Sequence, residues 1–332
     1  MSSIYPPQAD RREFLKQMGL AAGTASLVSA APKVDSKWKK QIGLELFTVR
    51  GLLTPEGYEP TLAKLAAMGY KEVEPADPYN KMQPKEYKAL LDKYGLKMFS
   101  THADATEGPD LEKELEGQAL MGIKYTAVRA PRPAGPNRPP VATPPGAAAT
   151  KQGEQRAPMQ RPPMTVESVK QSASRMNKFG QILKKFGMKY YIHNHAGEFE
   201  LLDDGKTTQY DILLAETDPG LVAMQLDIGW ACMAGQDVFA MFKKNPGRYE
   251  LWHVKDAKYK QADPSLTPNA RARASKIVTM GEGDIDYRAV FAQAKQAGLK
   301  YFVIEQDTAG QGGRDVLEDC KIACQNLQKI LS

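Results

Sequence analysis

Cysteine is scarce: Cys232, Cys320 and Cys324 are all that 332 residues contain. Three thiols cannot build a disulfide framework or a four-thiolate zinc site. Cys320 and Cys324, four apart, suit one helix face as packed thiols. No uninterrupted apolar run reaches the roughly 18–20 residues that span a bilayer, which excludes stable membrane insertion through a helix. No glycine-rich GxGxxG loop follows the first strand-like run, so the usual dinucleotide cradle is missing. What is present is 42% apolar and 25% charged residues, enough for a sizeable core.

At the start of the chain, Asp10-Arg11-Arg12-Glu13-Phe14-Leu15-Lys16 precedes a mild Ala- and Gly-rich stretch from Met18 to Val28, closed by small residues to Ala31. The pattern resembles a twin-arginine export signal. It implies that residues 1–31 are an address read by the twin-arginine export machinery, that the product is periplasmic or otherwise exported, and that the folding domain is 32–332. The net charge of +6 is concentrated: Arg132, Arg138, Lys151, Arg156 and Arg161 against Glu154 put +4 into residues 131–164. That segment has ten prolines and no Leu, Ile, Phe, Tyr or Trp, so it reads as an insertion that cannot bury enough to order itself. Charge confined to one loop, without a patterned patch and stacking aromatics, argues against nucleic-acid binding.

The rest of the chain has a rhythm. Gly69-Tyr70-Lys71, Gly95-Leu96-Lys97, Gly122-Ile123-Lys124, Gly187-Met188-Lys189 and Gly298-Leu299-Lys300 each follow a helical stretch and precede a strand-like run. Glycine adopts the left-handed turn that ends a helix, and the next apolar residue packs back before a strand begins. The sequence predicts eight strands: Ile42–Val49, Glu72–Pro75, Met98–His102, Tyr125–Arg129, Tyr190–His195, Ala223–Ile228, Glu250–Val254 and Tyr301–Glu305. Helices are predicted over Thr165–Phe186, Asp237–Lys244, Tyr287–Gln296 and Arg314–Leu331, with Thr54 and Thr165 as N-caps. Eight alternating units give an α/β fold, a (β/α)8 TIM barrel. The Pro-rich insertion then follows the fourth strand, on the face where barrels do chemistry.

The chain has only four histidines, His102, His193, His195 and His253, and all lie at carboxyl ends of predicted strands. Glu74, Asp227 and Glu305 join them, and Glu198 lies just beyond the fifth strand. Side chains alternate along a strand, so Gln225 shares a face with Asp227, Lys255 with His253, and Asp307 with Glu305. Asp227, His253 and Glu305 fall on consecutive strands about 5 Å apart. Two carboxylates and an imidazole converging there call for a divalent cation: Mn²⁺, Co²⁺, Fe²⁺, Mg²⁺ and Zn²⁺ all suit mixed oxygen and nitrogen ligands.

Ile42-Gly43-Leu44-Glu45-Leu46-Phe47-Thr48-Val49-Arg50, His193-Asn194-His195-x-x-Glu198-Phe199, Leu226-Asp227-Ile228-Gly229, His253-Val254-Lys255-Asp256 and Ile304-Glu305 together resemble the xylose-isomerase-like sugar phosphate isomerase/epimerase family. The resemblance runs from about residue 40 to the end, apart from the insertion. It implies a metal-dependent barrel acting on keto and aldo sugars, inososes and related polyols. Asp227, His253 and Glu305 match its sixth-, seventh- and eighth-strand ligands. Many members carry a glutamate where this chain has His193. Glu198 is the expected fourth ligand, with His193 as the alternative.

On that resemblance the expected chemistry is proton abstraction beside a carbonyl, through an enediolate that leads to isomerisation, epimerisation or β-elimination. His195, His193, Glu198 and Glu305 are the candidates for proton transfer. Lys255 would donate to a hydroxyl or oxyanion, or else pair with Asp256 or Glu282. His102 and Glu74 would contact sugar hydroxyls and Trp230 would stack on a sugar face, whereas Trp252, of opposite parity to His253, packs outward. Export argues for an unphosphorylated keto-sugar, or a glycoside oxidised at one ring carbon, as the small-molecule carbohydrate partner. The other readings are an exported sugar-binding protein without turnover and the apurinic endonuclease branch of the barrel, whose three-metal cluster needs more histidines than four.

Overall fold

The computed structural model describes residues 33–76, 78–130 and 164–332; residues 1–31 and almost all of the 131–164 insertion lie outside them. Among the described residues, seven parallel strands form one sheet: Gly43–Glu45, Glu72–Glu74, Tyr125–Thr126, Lys189–His193, Val222–Asp227, Leu251–Val254 and Tyr301–Ile304. Glu72–Glu74 and Tyr125–Thr126 are its edges. The extended segment 97–100 joins them, through bridges Glu72–Lys97 and Ser100–Tyr125, so the sheet closes as an eight-staved barrel.

The five Gly-x-Lys turns are as expected. Gly69, Gly95, Gly122, Gly187 and Gly298 all have positive φ, from 65° to 107°. The N–H of each following residue reaches back to a helical carbonyl: Tyr70 to Leu65, Leu96 to Leu91, Ile123 to Gln118, Met188 to Leu183 and Leu299 to Ala294. Each of those residues is buried, so the turn that stops a helix also anchors the next stave. Thr165 caps the helix Val166–Lys184 through Ser168 N. Thr54 acts one turn early: its hydroxyl accepts from Gly57 N, and the helix begins at Tyr58.

Three staves depart from the expected strands: the third, expected over Met98–His102, is held only through isolated bridges at Lys97 and Ser100. The first is strand only over Gly43–Glu45, because Leu46–Leu52 winds into 3₁₀ turns. The fourth splits: Val128–Arg129 leaves the main sheet to pair with Ala105–Thr106. After the seventh stave, Asp256–Lys258 pairs antiparallel with Lys276–Val278 and forms a hairpin at the barrel mouth.

Alternation divides the core. Tyr125, Tyr191, Ala223 and Leu251 cluster inside the bore, with Phe99 stacked on Tyr301 at 3.8 Å beside them. Trp252 faces the helices, packed parallel to Phe242 at 5.3 Å, as its parity requires. Cys320 and Cys324 are buried on the final helix, Val316–Ile330. No helix among the described residues is long and apolar enough to cross a membrane.

Candidate metal and active site

Above the aromatic plug the inward positions turn ionic. The stave ends deliver Glu74, His102, His193, Asp227, His253 and Glu305 to one place, and the loops beyond add Lys255 and Asp307. His193, Asp227, His253 and Glu305 each offer a ligand atom within 4.8 Å of the others.

Local sequence explains how these groups are held. Asp227 ends its stave and caps the helix Ile228–Met233, with Oδ1 accepting from Trp230 N at 2.8 Å. That leaves Oδ2 toward the bore, without a hydrogen bond of good angle and 3.2 Å from the Lys255 ammonium. Asn194 fixes the Asp227 backbone, its Oδ1 accepting from Asp227 N at 3.0 Å. Gly229 permits the close approach of the next stave, since a Cβ there would lie 2.5 Å from the Lys255 carbonyl oxygen.

Glu74 is the hub of the site. It is fully buried, and its two oxygens accept from His253 Nε2 at 2.6 Å, His102 Nε2 at 2.9 Å, Gln225 Nε2 at 2.8 Å and the Ser100 hydroxyl. Burial alone would raise its pKa, but the neighbouring His253 and His102 hold it well below the usual carboxylate range. Glu74 therefore orients imidazoles, and its oxygens are already occupied, unlike the sugar contact expected of it. Because its carboxylate attracts the Gln225 amide N–H, Gln225 presents Oε1 to His193 Nδ1 at 3.1 Å. His193 then carries its proton on Nδ1 and keeps the Nε2 lone pair free. Burial, together with the nearby His253 and His102, pushes His193 well below the ordinary histidine pKa, so it is neutral.

His253 places Nδ1 2.6 Å from Glu305 Oε2 and 4.0 Å from Asp227 Oδ2. Burial opposes its charge, but Glu74 and Glu305 outweigh burial and raise its pKa well above the usual value. Burial raises Asp227 to about 6 against the pull of Lys255. Lys255 is completely buried and touches Asp227, Glu305 at 3.1 Å and Asp307 at 2.6 Å. It pairs with these three rather than with Asp256 or Glu282. Four carboxylates, Glu74, Asp227, Glu305 and Asp307, thus face Lys255 and His253. With the unbonded Asp227 Oδ2 and two oxygen and two nitrogen donors in reach, the site fits a divalent ion.

Glu198, the expected fourth ligand, stands outside this group. Its carboxylate turns back to accept from His195 N at 2.8 Å at the 3₁₀ turn Gly197–Phe199. His193 stands within the group. His195 is exposed at the mouth, 4.8 Å from the His193 ring and 5.6 Å from the Trp230 ring. Desolvation by surrounding protein lowers its pKa, leaving a neutral base. Trp230 sits at the rim, its ring 5.0 Å from the Lys255 ammonium. Ser100 and the pinning role of Asn194 had no sequence signal beyond their positions at stave ends.

A closed parallel barrel with acids and imidazoles gathered at its carboxyl-terminal mouth defines an α/β-barrel of the enzyme type. The family model described as Xylose isomerase-like TIM barrel matches residues 62–323, and the chain belongs to that family. An inosose dehydratase of Clostridium tetani is 30% identical over 169 residues, 48% of this chain and 55% of that protein. The chain spans about half the length of the curated relatives it matches. A sugar phosphate isomerase/epimerase from Parabacteroides distasonis superposes with a TM-score of 0.60 at 20% identity, over 87% of this chain and 94% of its own. A zinc-bound IolI protein gives 0.57 at 13% identity, over 88% and 98%. At these identities the solved structures speak for the fold.

Proposed function

We propose that this protein is a divalent-metal-dependent enzyme that removes a proton from the carbon beside a carbonyl of a keto-sugar, inosose or keto-glycoside. The single observation that carries the reading is the convergence of His193, Asp227, His253 and Glu305 within 4.8 Å at the barrel mouth. The likeness to an inosose dehydratase supports the same chemistry.

His193, Asp227, His253 and Glu305 would hold a divalent cation, which would supply positive charge for the oxygens of a substrate. The chain's own groups do the rest. Glu74 locks His253 from behind, and Gln225 locks His193. Lys255 is a positioning residue, balancing Asp227, Glu305 and Asp307. His195, neutral and open to solvent, is the proton carrier, exchanging a proton between substrate carbon and oxygen. Glu305 is the second candidate, since it lines the same space. The reading of residues 1–31 as an export address rests on sequence pattern and directs the proposal toward unphosphorylated sugars.

The test is solvent exchange. Metal-loaded protein in D₂O should place deuterium beside the carbonyl of a keto-sugar or 3-keto-glycoside. His195→Asn should slow that exchange about 10²–10⁴-fold while sugar binding persists. Tight sugar binding with no exchange and no cleavage would instead describe a binding protein.

A further inference from the structure

Beside the acid group lies a cavity of about 600 Å³ that this chemistry does not use. Its walls come from three consecutive stave-to-helix connections. Trp230 follows the sixth stave, Ser275 and Thr279 belong to the hairpin region after the seventh, and Gln306, Thr308 and Arg314 follow the eighth. The volume falls within the range of small-molecule sites, and one aromatic residue, Trp230, shares the lining with neutral hydrogen-bonding groups and with charged side chains of both signs.

Two relationships connect this cavity to the reacting centre. Gln306 and Thr308 alternate along the chain with Glu305 and Asp307, both ion-paired to Lys255. Trp230 is a common wall: it borders the cavity, and its ring lies 5.0 Å from the Lys255 ammonium and 5.6 Å from the His195 ring. The cavity is also preformed. Arg314 grips Glu282 through two 2.7 Å bonds, donates to Thr279 at 2.9 Å and pairs with buried Asp319 at 2.9 Å, tying the hairpin side to the last loop.

We propose that this cavity is a subsite for a second sugar ring, so that the substrate is a glycoside of two rings, with the oxidised ring at the acid group and its partner beside Trp230. This rests on the sugar-enzyme reading above and narrows it. An indole on the wall with neutral amide and hydroxyl groups on the same walls suits a pyranose, which presents an apolar C–H face and a rim of hydroxyls. Lys258, Arg273 and Lys276 also line the cavity, while its two carboxylates, Glu282 and Asp319, are paired with Arg314, which selects a neutral or acidic ring over an amino sugar.

The experiment compares binding of a 3-keto-hexose and of a disaccharide carrying the same 3-keto-hexosyl ring to the metal-loaded protein by calorimetry. The disaccharide should bind at least 10-fold more tightly. It should shield Trp230 from acrylamide quenching more strongly than the 3-keto-hexose does, a clean signal because Trp38 and Trp252 are buried. Gln311→Trp, an exposed wall position outside the acid group, should plug the cavity and erase the disaccharide's advantage while leaving 3-keto-hexose binding unchanged. Equal affinities for the two sugars in the unmodified protein overturn the second-ring subsite and leave the sugar-enzyme reading intact. No binding of either sugar overturns both.

Discussion

His193 donates from Nδ1 to Gln225 Oε1 across 3.1 Å, and that one bond decides which nitrogen of His193 faces the acid group. Gln225 is oriented in turn by Glu74, so a residue on the second stave sets the tautomer of one on the fifth. Gln225→Leu removes both bonds at nearly equal volume. Metal affinity, measured by competition with a chromogenic chelator, should fall about 10–100-fold. Unchanged affinity would show that His193 is not a ligand or needs no guide.

The fourth ligand can be decided directly. His193→Ala should weaken metal binding by at least about 10-fold, a typical cost for disturbing a ligand set. Glu198→Gln should change it far less, because that carboxylate is engaged with its own loop. The reverse order would restore Glu198 to the metal.

Glu72 makes a prediction about pH and stability. It lies inside the barrel with Oε2 buried and unpartnered, and burial pushes its pKa from 4.5 to about 8, against a weak pull from Lys97. Between those values the folded protein holds a proton that the unfolded chain has released. Stability contributed by this residue therefore declines as pH rises through that window, by about 1.4 kcal/mol per unit. Glu72→Gln should flatten that slope and leave the protein more stable at pH 8 in urea melts. A steeper slope would refute the assignment.

Gly298 carries two demands at once. Its φ is +86°, and a Cβ would sit 2.7 Å from the Gly247 Cα. Neither backbone can yield cheaply, so Gly298→Ala should cost about 2–4 kcal/mol in denaturant unfolding. Gly95→Ala, in open space at a similar φ, should cost less.

How much of this was legible in sequence depends on the range of the forces involved. The Gly-x-Lys turns and the buried residues after them are local events, readable from a few positions. Strand parity carried Asp227, His253 and Glu305 to the same end of the bore, because alternation leaves one choice once a face is fixed. The direction of Glu198 was not readable: a loop carboxylate follows the nearest free N–H, here that of His195. Nor was the hub role of Glu74, since Ser100, His102, Gln225 and His253 reach it from three other staves. The early end of the first stave was likewise hidden, since Leu46–Leu52 is as apolar as a strand.

The tyrosines and the Phe99–Tyr301 stack that fill the lower bore have a kinetic corollary. With that end shut, ion and sugar must share one doorway, and whichever enters second covers the first. On the function proposed above, addition should be ordered, cation before carbohydrate, and a bound sugar should slow the escape of the ion beneath it.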